Sequence, residues 1–209
     1  MAAMKKGTWI FALALGALVA GRAEAEPKPY RHPATGLVLP PTLADMRQTE
    51  PHDYEPDSPG LGVSVGYQAP GTTATIYLYT LGQASIPAGA AAPEVAAHFR
   101  QVLEDIAAHG QAQGYERFRK TAEGEIGFGP PGAEFRARTA DMQYALAGEE
   151  RLTKVDLLGW RNHFLKVRYT YAAGVREAAE RRHAELLDIL ADRMKAADGE
   201  DSGAASGGE

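Results

Sequence analysis

The sequence predicts an α+β fold, a mainly antiparallel β-sheet flanked by helices in an α/β/α sandwich. Three observations carry this. Runs with an apolar residue at every second position recur from residues 61–67 to residues 165–171, and a period of two marks strands with a buried face. Short turn chemistry, such as Pro70-Gly71 and the Trp160, Arg161, Asn162 stretch, separates neighbouring runs, as antiparallel hairpins require. Two segments instead carry a helical stripe, Val95, Phe99, Val102, Leu103 and Ile106 in one, Ala179, Leu186, Leu187, Leu190 and Met194 in the other. Strands grouped around one helix, more strands and then a final helix describe α+β rather than an alternating α/β chain.

The first 25 residues read as an address rather than as part of the fold. Lys5 and Lys6 form a positive start, residues 9–20 an apolar core, and Ala23-Glu24-Ala25 a small-x-small cleavage site. The apolar run falls short of the ~20 residues that span a bilayer. The expected product is a periplasmic or secreted chain, cut after Ala25 and without a membrane span. The 209 residues include no cysteine, so neither a lipid anchor at a lipobox nor a disulfide is expected. A formal charge of −5 gives no reason to expect a nucleic-acid partner. The remaining length suits one domain, residues 26–198, followed by a Gly/Ser/Ala/acidic tail, 199–209, with nothing apolar to bury and hence expected to be disordered.

Taken in order, residues 36–39 form a short first strand cut off by Pro40 and Pro41, which cannot donate to a ladder. Residues 43–47 suit a turn of helix or a strand, and the proline-rich, acidic stretch 49–59 a loop. Residues 61–67 and 73–80 make a hairpin about Pro70-Gly71. Pro93 opens the first helix, over residues 93–108, which ends near Gly110 or Gly114. Residues 115–120 suit a strand, 124–132 a glycine-rich loop and 134–139 a strand that 142–146 continues or re-pairs; the second helix follows Gly174.

The longest alternating segment is the hairpin over residues 152–171. Val155 and Leu157 are expected on the same buried face as Leu165, Val167, Tyr169 and Tyr171, which calls for a three-residue loop at Trp160, Arg161 and Asn162. Asp156 then lies across from Lys166 as an opposite-charge pair on the wet face.

The motifs are weighed against ordinary structural roles. Gly62-Val63-Ser64-Val65-Gly66 matches a G-x-S-x-G elbow, but the alternation runs straight through Ser64 into another strand, whereas an elbow needs a sharp turn into a helix. Asp53, Glu55 and Asp57 begin like a calcium loop, yet Ser58 and Ser64 stand where that loop needs glycine and glutamate. No two of the six histidines have the short helical spacing of a zinc site. No catalytic set, cofactor or metal is therefore expected. Tyr67, Tyr77, Tyr79, Tyr169 and Tyr171 all fall on strands. They are candidates to line a ligand pocket between sheet and helix, and equally suit packing in the core.

The proline-terminated strand at 36–41, the helix from Pro93, the strand meander to Tyr171 and the C-terminal helix, in a chain with an export leader, resemble the PsbP-like family, including the bacterial DcrB-like proteins. That resemblance implies an antiparallel sheet between helices. It also implies an accessory role outside the cytoplasm, in which no functional residue is transferable. The expected function is thus a non-enzymatic periplasmic binding or accessory protein whose partner is an envelope protein or a small ligand. The alternatives are a module with a pocket between sheet and helix, or a serine hydrolase pairing Ser64 with His52 or His98.

Overall fold

The computed structural model describes residues 28–131 and 134–204; the leader and the last five residues of the tail lie outside these. Two short strands, β1 (Tyr30–Arg31) and β2 (Val38–Leu39), pair with each other. Next come β3 (Thr42–Leu43), β4 (Met46–Gln48), β5 (His52–Asp53), β6 (Val63–Ala69) and β7 (Thr72–Tyr79), then α1 (Pro93–Ala112). The meander β8 (Glu116–Phe128), β9 (Phe135–Leu146), β10 (Glu149–Trp160) and β11 (His163–Ala172) leads through a 3₁₀ turn into α2 (Arg176–Ala204). The main sheet has the order β3-β4-β6-β7-β11-β10-β9-β8, with β5 beside β6, and every pairing is antiparallel. The chain is therefore α+β, with a mainly antiparallel sheet between two helices.

Both faces of the central strands are covered. On one, Val65, Ile76, Leu165, Val167 and Tyr169 pack with Leu186, Leu190 and Met194 of α2 and with Leu37, Leu39 and Leu43 of the N-terminal strands. On the other, Tyr79, Val155, Leu157 and Phe164 pack with Val95, Phe99, Val102 and Ile106 of α1. Each helix lies on the sheet because its apolar stripe has nowhere else to leave water. At the end of α1, Gly114 takes φ +77°; the Tyr115 and Gly114 amides donate to the Gly110 and Gln111 carbonyls at 2.8 and 3.3 Å, a glycine-terminated helix end. Before α1 the chain is tied to the sheet through Gly89 and Gly159, which exchange amide-to-carbonyl bonds of 2.7 and 2.9 Å. A Cβ on Gly159 would sit 1.8 Å from the Pro87 carbonyl oxygen, so glycine is required by close approach.

The 152–171 hairpin forms, but its register differs by one residue from the sequence-based expectation. Trp160 pairs with His163, so the loop is the two residues Arg161 and Asn162, and Asp156 faces Val167 while Leu157 faces Lys166. Arg161 and Asn162 both have positive φ, 47° and 59°, which is the tight turn that matches strand twist. An arginine is a poor residue for that backbone. It is held there by tertiary bonds: its Nη1 donates to the Thr35 and Ala197 carbonyls at 2.6 and 3.1 Å, while Asn162 Oδ1 accepts from the Ile86 amide at 2.7 Å. With that shift the expected Asp156–Lys166 pair on a wet face does not exist. Asp156 points toward α2, Lys166 points toward α1, and both are buried.

Two further stretches differ. The glycines at 124 and 127 lie inside β8, paired with β9, because an exposed strand on the sheet's rim tolerates missing side chains. The tail expected from Gly199 begins as helix, since α2 continues to Ala204. Arg161 bonds near its end, and Arg31 pairs with Glu200 at 3.0 Å.

Candidate functional site

A cavity of about 500 Å³ lies between α1 and the sheet. Its floor comes from strand alternation: Tyr77 of β7 pairs with Lys166 of β11, Thr75 with Arg168 and Tyr79 with Phe164, so these side chains point to the α1 face. Its roof is one stripe of α1, where His98, Val102, Asp105, Ile106 and His109 recur at helical spacing. Pro59, Leu61 and Leu81 close the side. Leu81 is 39% exposed and takes φ +53°, a costly backbone for a bulky residue. It is held there by its amide donating to the Gly60 carbonyl at 2.7 Å.

The chemical centre is Lys166, 7% exposed. Its Nζ lies 4.1 Å from the Tyr77 ring centroid and 5.4 Å from that of Tyr79, close enough for the ring faces to attract the ammonium. Burial, then the Arg168 guanidinium, push Lys166 down from 10.5 to about 7, against the opposing pull of Asp105. Tyr79 Oη and His98 Nε2 are 2.6 Å apart, and the His98 ring packs on Phe164 with centroids 4.3 Å apart. Burial and then Lys166 lower His98 to about 4, while burial holds the Tyr79 phenol well above its ordinary range. At neutral pH this pair is an uncharged phenol against an uncharged imidazole. His109 has both ring nitrogens shielded from solvent with no hydrogen-bond partner among the described residues. The arrangement is an apolar chamber with a buried amine in its floor and unused polar atoms in its roof, a setting suited to holding a small molecule.

Of the five tyrosines expected from the sequence, Tyr77 and Tyr79 line this cavity. Tyr67, Tyr169 and Tyr171 do not, because the register turns them to the α2 face. There their hydroxyls are committed: Tyr67 to the Pro40 carbonyl at 2.8 Å, Tyr169 to the Ala179 carbonyl at 2.9 Å and Tyr171 to the Glu180 carboxylate. Lys166, read from the sequence as a solvated strand residue, belongs to the site. The signal available in the sequence was the stripe His98, Asp105 and His109 on α1, polar residues on a helix face that should be dry if it met an apolar sheet.

Ser64 sits inside β6, which runs straight on to Ala69. Its Oγ is 3.1 Å from the Tyr54 hydroxyl, and His98 is engaged with Tyr79 instead. His52 is its cross-strand neighbour and packs on the Tyr54 ring with centroids 4.2 Å apart. The Glu55 carboxylate accepts from the amides of Gly60 and Gly62 at 2.9 and 2.8 Å, and Asp53 from that of Glu55 at 2.9 Å, so these acids organise a loop. Among the described residues, no three His, Asp or Glu side chains come together as metal ligands, and no helix is long and apolar enough to cross a membrane.

No family model matches the chain, and no curated protein matches it. Among solved structures it is similar to cyanobacterial PsbP (CyanoP) from Synechocystis sp. PCC 6803, at 12% identity and a TM-score of 0.43, over 82% of this chain and 96% of that one. A likeness this distant assigns no function, site or partner. No sequence relationship to DcrB-like proteins is found.

Proposed function

We propose that this chain is an exported, non-enzymatic binding protein that holds a small, largely apolar ligand in the cavity between α1 and the sheet. One observation carries the reading: a chamber of about 500 Å³, within the size range of ligand sites, has apolar walls, a strained and exposed leucine at its side and a nearly fully buried lysine in its floor. A lysine buried at that depth costs stability, and such costs concentrate where function requires them. The reading without catalysis is supported by Ser64, a mid-strand residue engaged with a tyrosine rather than with a histidine. Export is supported by the leader at residues 1–25; mass spectrometry of protein recovered from the envelope or medium is expected to find Glu26 as the first residue, and a retained leader overturns that part.

The binding test uses N-phenyl-1-naphthylamine, an uncharged probe that brightens in apolar surroundings. The purified protein is expected to enhance its fluorescence saturably. Ala108 lines the cavity from α1 and is exposed, so Ala108→Trp fills space without disturbing the core. The variant is expected to weaken probe binding about tenfold, on the order of 1.4 kcal/mol, at an unchanged melting temperature. No enhancement by the parent, or equal binding by the variant, removes the cavity as the site.

A further inference from the structure

We propose that the α1 cavity selects ligands bearing a single carboxylate on an apolar body, with the carboxylate seated against the Lys166 ammonium. This rests on the binding reading above and names the ligand class.

The charge inventory of the cavity points to an anion. Its lining includes two cations, Lys166 and Arg168, against one carboxylate, Asp105. Lys166 and Arg168 are two residues apart on β11 and so face the same way. Asp105 is drawn partly aside, its Oδ1 accepting from Gln101 Nε2 at 2.8 Å. The remaining titratable groups of the cavity lining leave that balance positive. His98 and His109 of α1 are pushed toward the neutral form by burial; Tyr77 and Tyr79 of β7 toward the protonated phenol, also by burial. Arg138 of β9, which pairs with Leu157 on the same face, donates its Nε to the Ala90 carbonyl at 3.0 Å. An incoming ammonium meets two like charges, an alcohol brings no charge to meet them, and a carboxylate brings the opposite charge and gains charge-assisted hydrogen bonds. Leu61, Leu81, Val102 and Ile106 receive the apolar body.

The position of Lys166 makes the selection dependent on protons. Because burial lowers the amine to about 7, part of the population is neutral at and above neutral pH. An arriving carboxylate favours the charged form and draws a proton onto Nζ. Carboxylate binding therefore takes up protons above neutrality, and its affinity falls as pH rises, while an alcohol's does not.

Isothermal titration calorimetry of the purified protein with decanoate, decanol and decylamine, one pH unit below and one above neutrality, tests this. Decanoate is expected to bind about tenfold or more tighter than decanol at the lower pH, to weaken at the higher pH, and to show heats there that scale with the buffer's ionisation enthalpy. Decylamine is expected to bind more weakly than decanol. Lys166→Met, and independently Lys166→Gln, should reduce decanoate to decanol's affinity and abolish proton uptake while decanol still binds, which also shows that the cavity is folded. Decanoate no tighter than decanol, or decylamine as tight as decanoate, overturns the carboxylate inference and leaves the cavity reading standing. Failure of all three ligands together with the uncharged naphthylamine removes the cavity reading itself.

Discussion

Replacing His183 with leucine is expected to cost about 3–5 kcal/mol of stability, lowering the melting temperature by on the order of 10 °C for a domain of this size. His183 of α2 meets Asp156 of β10 at 2.8 Å, Nε2 to Oδ2, with the two residues 5% and 1% exposed. The imidazole also packs on the Tyr169 ring, with centroids 5.1 Å apart. Leucine leaves the Asp156 carboxylate buried against an apolar neighbour, and its Oδ1 already has no hydrogen-bond partner among the described residues. The penalty is then that of a buried carboxyl group left without its partner rather than of one exchanged bond. Leucine at both positions is expected to recover most of the loss, since removing both partners removes the need to desolvate either. Thermal melts of the two variants check this. If His183→Leu melts with the parent protein, Asp156 is on a solvated face and the hairpin register is the one its alternation alone suggests.

Lys166→Met acts in the opposite direction. It is expected to stabilise the protein by on the order of 1–4 kcal/mol below neutral pH, because a flexible apolar side chain replaces an amine that burial disfavours. The pH dependence follows from the lowered value. Unfolded, Lys166 keeps its proton up to about 10.5; folded, it releases it at about 7. Below 7 both states carry the proton and the full cost of burying the charge is present. From 7 toward 10 the unfolded state holds a proton that the folded state lacks, so this residue makes stability rise with pH, by at most about 1.4 kcal/mol per unit. Urea melts across that interval should show the slope in the parent protein and its loss in Lys166→Met. His98, lowered to about 4, contributes a rise of the same sign between about 4 and 6.5, which falls below the lysine window. A variant that is more stable yet loses carboxylate binding is the trade expected where a destabilising residue is kept for function.

The sequence by itself determined the fold class, the helices from Pro93 and after Gly174, the Pro70-Gly71 turn and the long hairpin of β10 and β11. Each rests on a local cause: apolar period, a proline that fits a first helical turn, glycine where φ is positive. What only the tertiary structure decided is which face each strand residue occupies. Alternation distinguishes wet from dry when one face of a sheet meets water; here α1 and α2 cover both faces of the central strands, so polar residues on either side can be interior. The parity was then set by Arg161, which accepts a left-handed backbone because carbonyls from the N-terminal segment and from α2 capture its guanidinium. Those partners stand 126 and 36 residues away in the chain, beyond any local pattern. Shortening the loop by one residue placed Asp156 against His183 and carried Lys166 under α1, because strand side chains alternate with a period of two and a single-residue slip in pairing exchanges the two faces.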